Sequence, residues 1–344
     1  MEFLYEYGLF LAKAVTLVLA VVAIVAVIAG AAIKQKAKKG ELEIEDLSEH
    51  FEDVEQEIVH SLLTKEELKE KEKADKKAEK ERVKAAKKGD TPDAKPRMFV
   101  LDFKGSIDAK EVASLREEVS AVLAVAKPED EVFVRLESGG GMVHGYGLAS
   151  SQLDRIRQRE IPLTVAVDKV AASGGYMMAC VANKIIAAPF AILGSIGVLA
   201  QVPNFNKLLK KNDIEFEQLT AGEYKRTLTM FGENTEKGRE KFVEELEETH
   251  QLFKDFVNEH RASLDIAKVA TGEHWFGTKA KALGLVDSIQ TSDDYLFDAV
   301  KTHKIVGIRY ETKKGFAEKL SKAASLSADS FISKLLQRNR IFPG

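Results

Sequence analysis

Ser173 stands in VDKVAASGGYMMACVA, between a β-rich run and an apolar helical stretch, with glycine at the two positions that follow. A serine there has two readings. As the residue before a helix it is ordinarily a cap, its hydroxyl accepting a free backbone N–H. As a nucleophile it would use the helix's unpaired N–H groups and positive dipole end to stabilise negative charge beside it. Gly174 and Gly175 would then let a substrate backbone come close. The surroundings do not match G-x-S-x-G, so the usual hydrolase elbow is absent from the sequence. Two more clusters of small residues follow β-rich runs: Ser138, Gly139, Gly140 and Gly141, and Gly194, Ser195, Ile196 and Gly197.

A serine nucleophile needs a base. Of the seven histidines, His144 follows the first glycine cluster, while His250, His260 and His274 lie on helical or exposed-looking stretches. None has a carboxylate partner at readable spacing, and surface or packing roles suit each of them. Lysine is the other option. Lys225, in TAGEYKRT after the strand-like IEFEQLT, would have to be desolvated to act as a base near neutral pH, whereas most lysines are solvated charges. The residues alone leave both bases open. Cys180 is the one cysteine, so neither an internal disulfide nor a Cys-rich metal site is available, and no metal or cofactor is expected.

The elements that must position these residues are legible in the rhythm of the chain. RMFVLDF, EVFVRLE, PLTVAVD and KIIAA read as strands, with a helix over about 109–126 and helical material between the others. Such alternation predicts an α/β domain on a parallel sheet, whose strand ends are where open sheets bind ligands. The chain has 344 residues, 45% of them apolar, enough for a core and for two or three modules. A formal net charge of −3 supplies no positive field for nucleic acid, which is excluded as a partner.

Residues 14–33, AVTLVLAVVAIVAVIAGAAI, would span about 30 Å as a helix, the thickness of a bilayer's hydrocarbon. Glu2 and Glu6 stand where a signal peptide needs positive charge, so 1–33 is expected to be a retained transmembrane anchor. Lys34, Lys36, Lys38 and Lys39 follow it and by the positive-inside rule place the rest of the chain on the cytoplasmic side. Residues 34–96, rich in Lys, Glu and Ala, read as a charged helical stalk, with Phe51, Val54, Ile58 and Leu62 at helical spacing. GDTPDAKP ends it. A catalytic domain is expected over 97–300 and a C-terminal extension over 301–344, partly an amphipathic helix bearing Phe331, Leu335 and Leu336.

The set LESGGGMVHGYG, VDKVAASGGYMMACVANKI, GSIGV, TAGEYKRTLT and GEHWFGTKAKALGLVD resembles the signal peptide peptidase A family, in particular its SohB branch, from the apolar N-terminal run to about residue 300. The resemblance implies a Ser/Lys dyad protease with the spiral ββα fold of the Clp protease and the crotonases. By motif it makes Ser173 the nucleophile, Lys225 the general base and Ser195 the residue that orients the lysine. It assigns the oxyanion hole to the N–H groups of Gly141 and Gly174 and puts Gly140 against the substrate. It further implies a single-pass protein of the bacterial inner membrane, acting on released signal peptides or membrane-protein fragments. The family's best-known members work outside the cytoplasm, against the charge rule. Long members carry serine and lysine in different halves of a duplicated chain, so a chain with one half implies a homo-oligomeric ring in which Ser173 meets a neighbour's Lys225.

One position departs from the pattern. The family reads S-P-G-G where this chain has Ser138, Gly139, Gly140 and Gly141, and glycine widens the loop's choices where proline narrows them. A less preorganised oxyanion donor at Gly141 would lower activity. A catalytically silent membrane scaffold that keeps the fold is therefore a rival reading. A crotonase-type acyl-CoA enzyme is another, in which Ser173 and Lys225 would have no role.

Overall fold

The computed structural model describes residues 7–11, 13, 15–18, 40–64, 66–71, 73, 77 and 95–311. The chain divides into two units, 1–41 with 311–344, and 42–310. In the first, the described residues 7–11, 13 and 15–18 are helical and exposed. Among the described residues no helix is long and apolar enough to cross a membrane. Of the expected membrane helix over 14–33 only 15–18 are described; the lysines at 34–39 and the amphipathic segment within 312–344 lie outside the described residues.

The second unit runs β1 (Glu41–Asp46), α1 (Leu47–Leu62), β2 (Arg97–Lys104), α2 (Val112–Val125), β3 (Glu131–Glu137), α3 (Val143–Arg157), β4 (Leu163–Val167) and β5 (Val170–Ala172). It continues through α4 (Gly174–Ala179), β6 (Lys184–Ala187), β7 (Ile192–Gly194), α5 (Asn206–Lys211), α6 (Glu236–His260) and α7 (Ile266–Val269). β8 (His274–Phe276), α8 (Gly277–Ala282), β9 (Ser288–Ile289), α9 (Ser292–Ala299) and β10 (Lys304–Glu311) complete it. The four strands expected from sequence are β2, β3, β4 and β6, and the expected helix is α2.

Seven strands form one sheet in the order β1-β10-β2-β3-β4-β6-β9, parallel at every pairing from β10 to β9. A parallel sheet is covered on both faces, so its strands are apolar throughout instead of alternating. In β2, Phe99, Leu101 and Phe103 join the larger core beneath α2, α3, α4 and α6. Met98 and Val100 join a smaller one with Phe133, Ile186 and Ile305 under Leu296 and Ala299 of α9. A second, three-stranded sheet, β5-β7-β8, carries the ends of the small-residue clusters.

Three segments differ from the sequence expectation. Residues 304–311, assigned to the C-terminal extension, form β10, an inner strand parallel to β2 with Ile305 opposite Met98. Residues 41–62, assigned to the charged stalk, supply the edge strand β1 and the helix α1. Ser48 Oγ accepts the Ile305 N–H at 2.8 Å, the Lys304 ammonium meets Asp46 at 2.9 Å, and Leu47 and Phe51 lean on the smaller core. The rest of the α1 stripe, Val54, Ile58 and Leu62, stays exposed. IEFEQLT at 214–220 is exposed irregular chain, not a strand: no other strand lies alongside to accept its ladder.

Candidate active site

The three small-residue clusters meet because β3, β5 and β7 end side by side. Ser138, just past β3, bridges to Ala171: its N–H donates to Val170 O at 2.8 Å and its carbonyl accepts Ala172 N–H at 3.0 Å. On the other side β5 runs parallel to β7, placing Ala172 opposite Gly194. The Ser173 N–H then donates to Gly194 O at 2.8 Å, and the next residue, Ser195, donates its N–H to Glu273 O at 2.6 Å. Ser173 and Ser195 are thus neighbours in space.

Ser173 precedes α4, where a cap is the ordinary expectation, yet its side chain makes no capping hydrogen bond. Its backbone sits at φ 52°, ψ −120°, a conformation that a residue with a Cβ adopts only at a cost of about 1–3 kcal/mol. Ser195 has φ 50°. Two strained serines side by side, with neither hydroxyl in a hydrogen bond among the described residues, are what a site looks like when packing holds a reactive group in place.

The glycine loop lies on this serine. A Cβ on Gly140, which has φ +86°, would fall 2.7 Å from Ser173 Cβ and 2.8 Å from Gly174 N. A Cβ on Gly141 would overlap the Ile107 carbonyl, one on Gly174 the ring of Tyr146, and one on Gly175 would come 2.5 Å from Ser138 O. Each of these glycines is required by a close approach. Gly139 is different: nothing lies within 4 Å of its would-be Cβ and its φ is not positive. The N–H groups of Gly141 and Gly174 donate to nothing among the described residues, whereas Gly140 N–H is taken by Ser138 Oγ at 3.1 Å.

Lys225 is exposed, on the irregular segment between α5 and α6, and its ammonium has no ion pair or hydrogen bond among the described residues. Among the described residues no hydrogen bond joins it to Ser173 or Ser195. That segment exposes Ile214 and Leu219, the latter at 92%, and Leu199 and Leu208 before it are exposed as well; Phe231 meets the rings of Phe205 and Phe216. The histidines do no better as partners of Ser173. His144 and His274 are exposed, His250 meets Ile196 O at 3.3 Å, and the His260 Nδ1 meets Phe256 O at 2.9 Å. Cys180 is buried, with its thiol pushed above its usual range, and is not available for chemistry. Among the described residues no group of His, Cys, Asp and Glu could hold a metal ion.

Sequence reading passed over Tyr146. It is fully buried on α3 against Gly174, its hydroxyl 2.5 Å from Ser138 Oγ and 2.8 Å from Ser106 O. The available signal was one bulky residue in the small-residue run HGYG, four positions after Met142 and so one helical turn beyond the loop.

Residues 2–153 match the family described as Peptidase family S49 N-terminal, and residues 155–306 match Peptidase family S49. The chain is 52% identical over 339 residues, 97% of it and 96% of the relative, to probable protease SohB of Haemophilus influenzae. It is 53% identical over 302 residues to probable protease SohB of Buchnera aphidicola subsp. Schlechtendalia chinensis, covering 86% of this chain and 99% of that one.

Proposed function

Since the chain belongs to peptidase family S49, in its SohB branch, and is a peptidase on that ground, we propose that it is a membrane-anchored serine endopeptidase working through a Ser/Lys dyad on signal-peptide remnants and membrane-protein fragments. The observation that carries this reading is Ser173: a strained residue at a helix start whose hydroxyl is not spent on the cap. Its fold is read as the spiral ββα arrangement of the Clp protease and the crotonases.

In this mechanism Ser173 Oγ attacks the scissile carbonyl and gives up its proton to the neutral amine of a lysine. The unpaired N–H groups of Gly141 and Gly174 receive the oxyanion, a reading supported by Gly174 following the serine directly and by Gly140, the residue before Gly141, lying against it. The lysine passes the proton to the departing amine, leaving an acyl-enzyme that water hydrolyses. Lys225 is the base, supplied by a neighbouring subunit of a ring, with Ser195 orienting it. Two observations support the intersubunit origin: Lys225 is exposed and unpaired among the described residues, and its segment bares apolar side chains suited to burial against a second copy. Burial there would strip the ammonium of water and favour its neutral form. Residues 14–33 anchor the protein in the bacterial inner membrane, and Lys34 to Lys39 favour a cytoplasmic catalytic domain.

A fluorophosphonate probe tests the central step. Wild-type protein is expected to be labelled covalently and Ser173→Ala not at all; equal labelling of both, or of neither, refutes Ser173 as nucleophile.

A further inference from the structure

Tyr146 carries a hydroxyl that, through Ser138, links the glycine loop to the body of the domain. The direction of that link follows from donor counting. Ser106 O is a carbonyl and can only accept, so the Tyr146 proton is committed to it at 2.8 Å. The 2.5 Å contact between Tyr146 Oη and Ser138 Oγ must then use the serine's proton. Ser138 Oγ, having donated, accepts the Gly140 N–H at 3.1 Å. The chain therefore runs one way, from Gly140 N–H to Ser138 Oγ–H to Tyr146 Oη–H to the Ser106 carbonyl. Beside it, the Met142 N–H donates to Ile107 O at 2.8 Å, tying the other end of the loop to the same 105–107 turn just past β2.

The ring is held as tightly as the hydroxyl. A Cβ on Gly174 would overlap its carbons and one on Gly105 would overlap its oxygen, so the phenol fills a slot that only glycine on both walls leaves open. Phe103 meets the ring edge-on at 6.5 Å between centroids. One side chain thus touches both halves of the oxyanion hole, Gly174 directly and the Gly140–Gly141 loop through Ser138.

We propose that Tyr146, acting through Ser138, is a positioning residue that restrains the 138–141 loop and so aims the oxyanion donors at the reacting carbonyl, an inference resting on the serine-peptidase reading above. Tyr146 itself is buried and touches no substrate. Its effect is on the transition state, where the oxyanion exists, and not on initial binding.

The test is the kinetics with which a fluorophosphonate phosphonylates the full-length chain, the serine oxygen displacing fluoride from phosphorus, separated into maximal rate and half-saturating concentration. Tyr146→Phe keeps the ring and removes the link. The maximal rate is expected to fall about tenfold or more, short of the 100- to 1000-fold for outright loss of a donor, with the half-saturating concentration unchanged. Adding Gly139→Pro to Tyr146→Phe is expected to restore most of the rate. Ser138→Ala breaks the same chain one step earlier and carries the test if the tyrosine variant does not fold. A folded variant with unchanged rate, a loss residing wholly in half-saturation, or a loss that Gly139→Pro does not restore overturns the proposal. A wild-type chain that is not phosphonylated overturns the peptidase mechanism and this inference together, and is told apart by the wild-type reaction alone.

Discussion

Replacing the glycines of the 139–141 loop one at a time is expected to move activity in opposite directions. At Gly139 no atom lies within 4 Å of a new Cβ, φ is not positive, and the N–H has no partner among the described residues. Ser138 before it is in an extended bridge, the conformation that a residue preceding proline prefers. Gly139→Pro therefore loses no hydrogen bond and meets no neighbouring atom, and at a φ of about −65° proline stabilises by about 0.4–1 kcal/mol. In a domain of this size that raises Tm by roughly 1–4 °C. If the same restriction preorganises the oxyanion donor, it speeds phosphonylation of Ser173 by about two- to fivefold, at 1.36 kcal/mol per decade. Gly140→Ala places a methyl group 2.7–2.8 Å from Ser173 Cβ, Ala172 O and Gly174 N in a residue at φ +86°. The backbone strain is worth about 1–3 kcal/mol, and relief must displace the nucleophile or the oxyanion residue. Gly141→Ala overlaps a carbonyl pinned by Met142 N–H at 2.8 Å, which cannot yield. Both are expected to lose about 100-fold or more in phosphonylation rate. Fluorophosphonate kinetics paired with thermal melts reads all three. A well-folded Gly139→Pro that is slower than wild type, or Gly140→Ala and Gly141→Ala enzymes at wild-type rate, refutes the reasoning.

Glu118→Gln addresses stability. Glu118 is 4% exposed and accepts the Tyr310 N–H at 2.8 Å, and burial, with the charge of Asp102 adding to it, pushes its carboxyl from 4.5 up to about 7. The folded chain therefore binds this proton more tightly than the unfolded chain, so stability falls as pH rises from 4.5 through 7, by up to about 3 kcal/mol at alkaline pH. Glutamine keeps the acceptor without the charge, so Tm of the variant should exceed that of wild type by a margin that grows between pH 5 and pH 8 in melts at each about half-unit step; a constant margin refutes the assignment. Coexpressed Ser173→Ala and Lys225→Ala subunits should recover about a quarter of wild-type activity if each dyad forms across an interface, and confirmed mixed oligomers with none refute the ring. In spheroplasts the catalytic domain should resist added protease until the membrane is permeabilised, and digestion of intact spheroplasts would place it on the outer side.

Local pattern was enough for much of this. The β-branched and aromatic runs at 97–103, 131–137, 162–168 and 184–188 became β2, β3, β4 and β6, and the small-residue clusters fell where β3, β5 and β7 end. Those features depend on residues within one element, whose spacing records which faces are covered. The motifs around Ser173, Ser195 and Lys225 were equally legible, because each is a contiguous run. Tertiary structure decided the rest. KIVGIRYE became an inner strand only because β2, some 200 positions earlier in the chain, offers it a parallel edge. IEFEQLT has comparable strand character and no such edge, and it stayed irregular. Nothing in A-A-S-G-G tells a capping serine from an uncapping one. The distinction came from Gly194 O holding the Ser173 N–H and from the Gly140 loop pressing on its Cβ, contacts made by segments far apart in sequence. For Tyr146 the sequence offered only a bulky residue one turn past the glycine loop: its slot is walled by Gly105 and Gly174, one on either side of it in the chain, and a local pattern cannot report a cavity that exists only after both have packed.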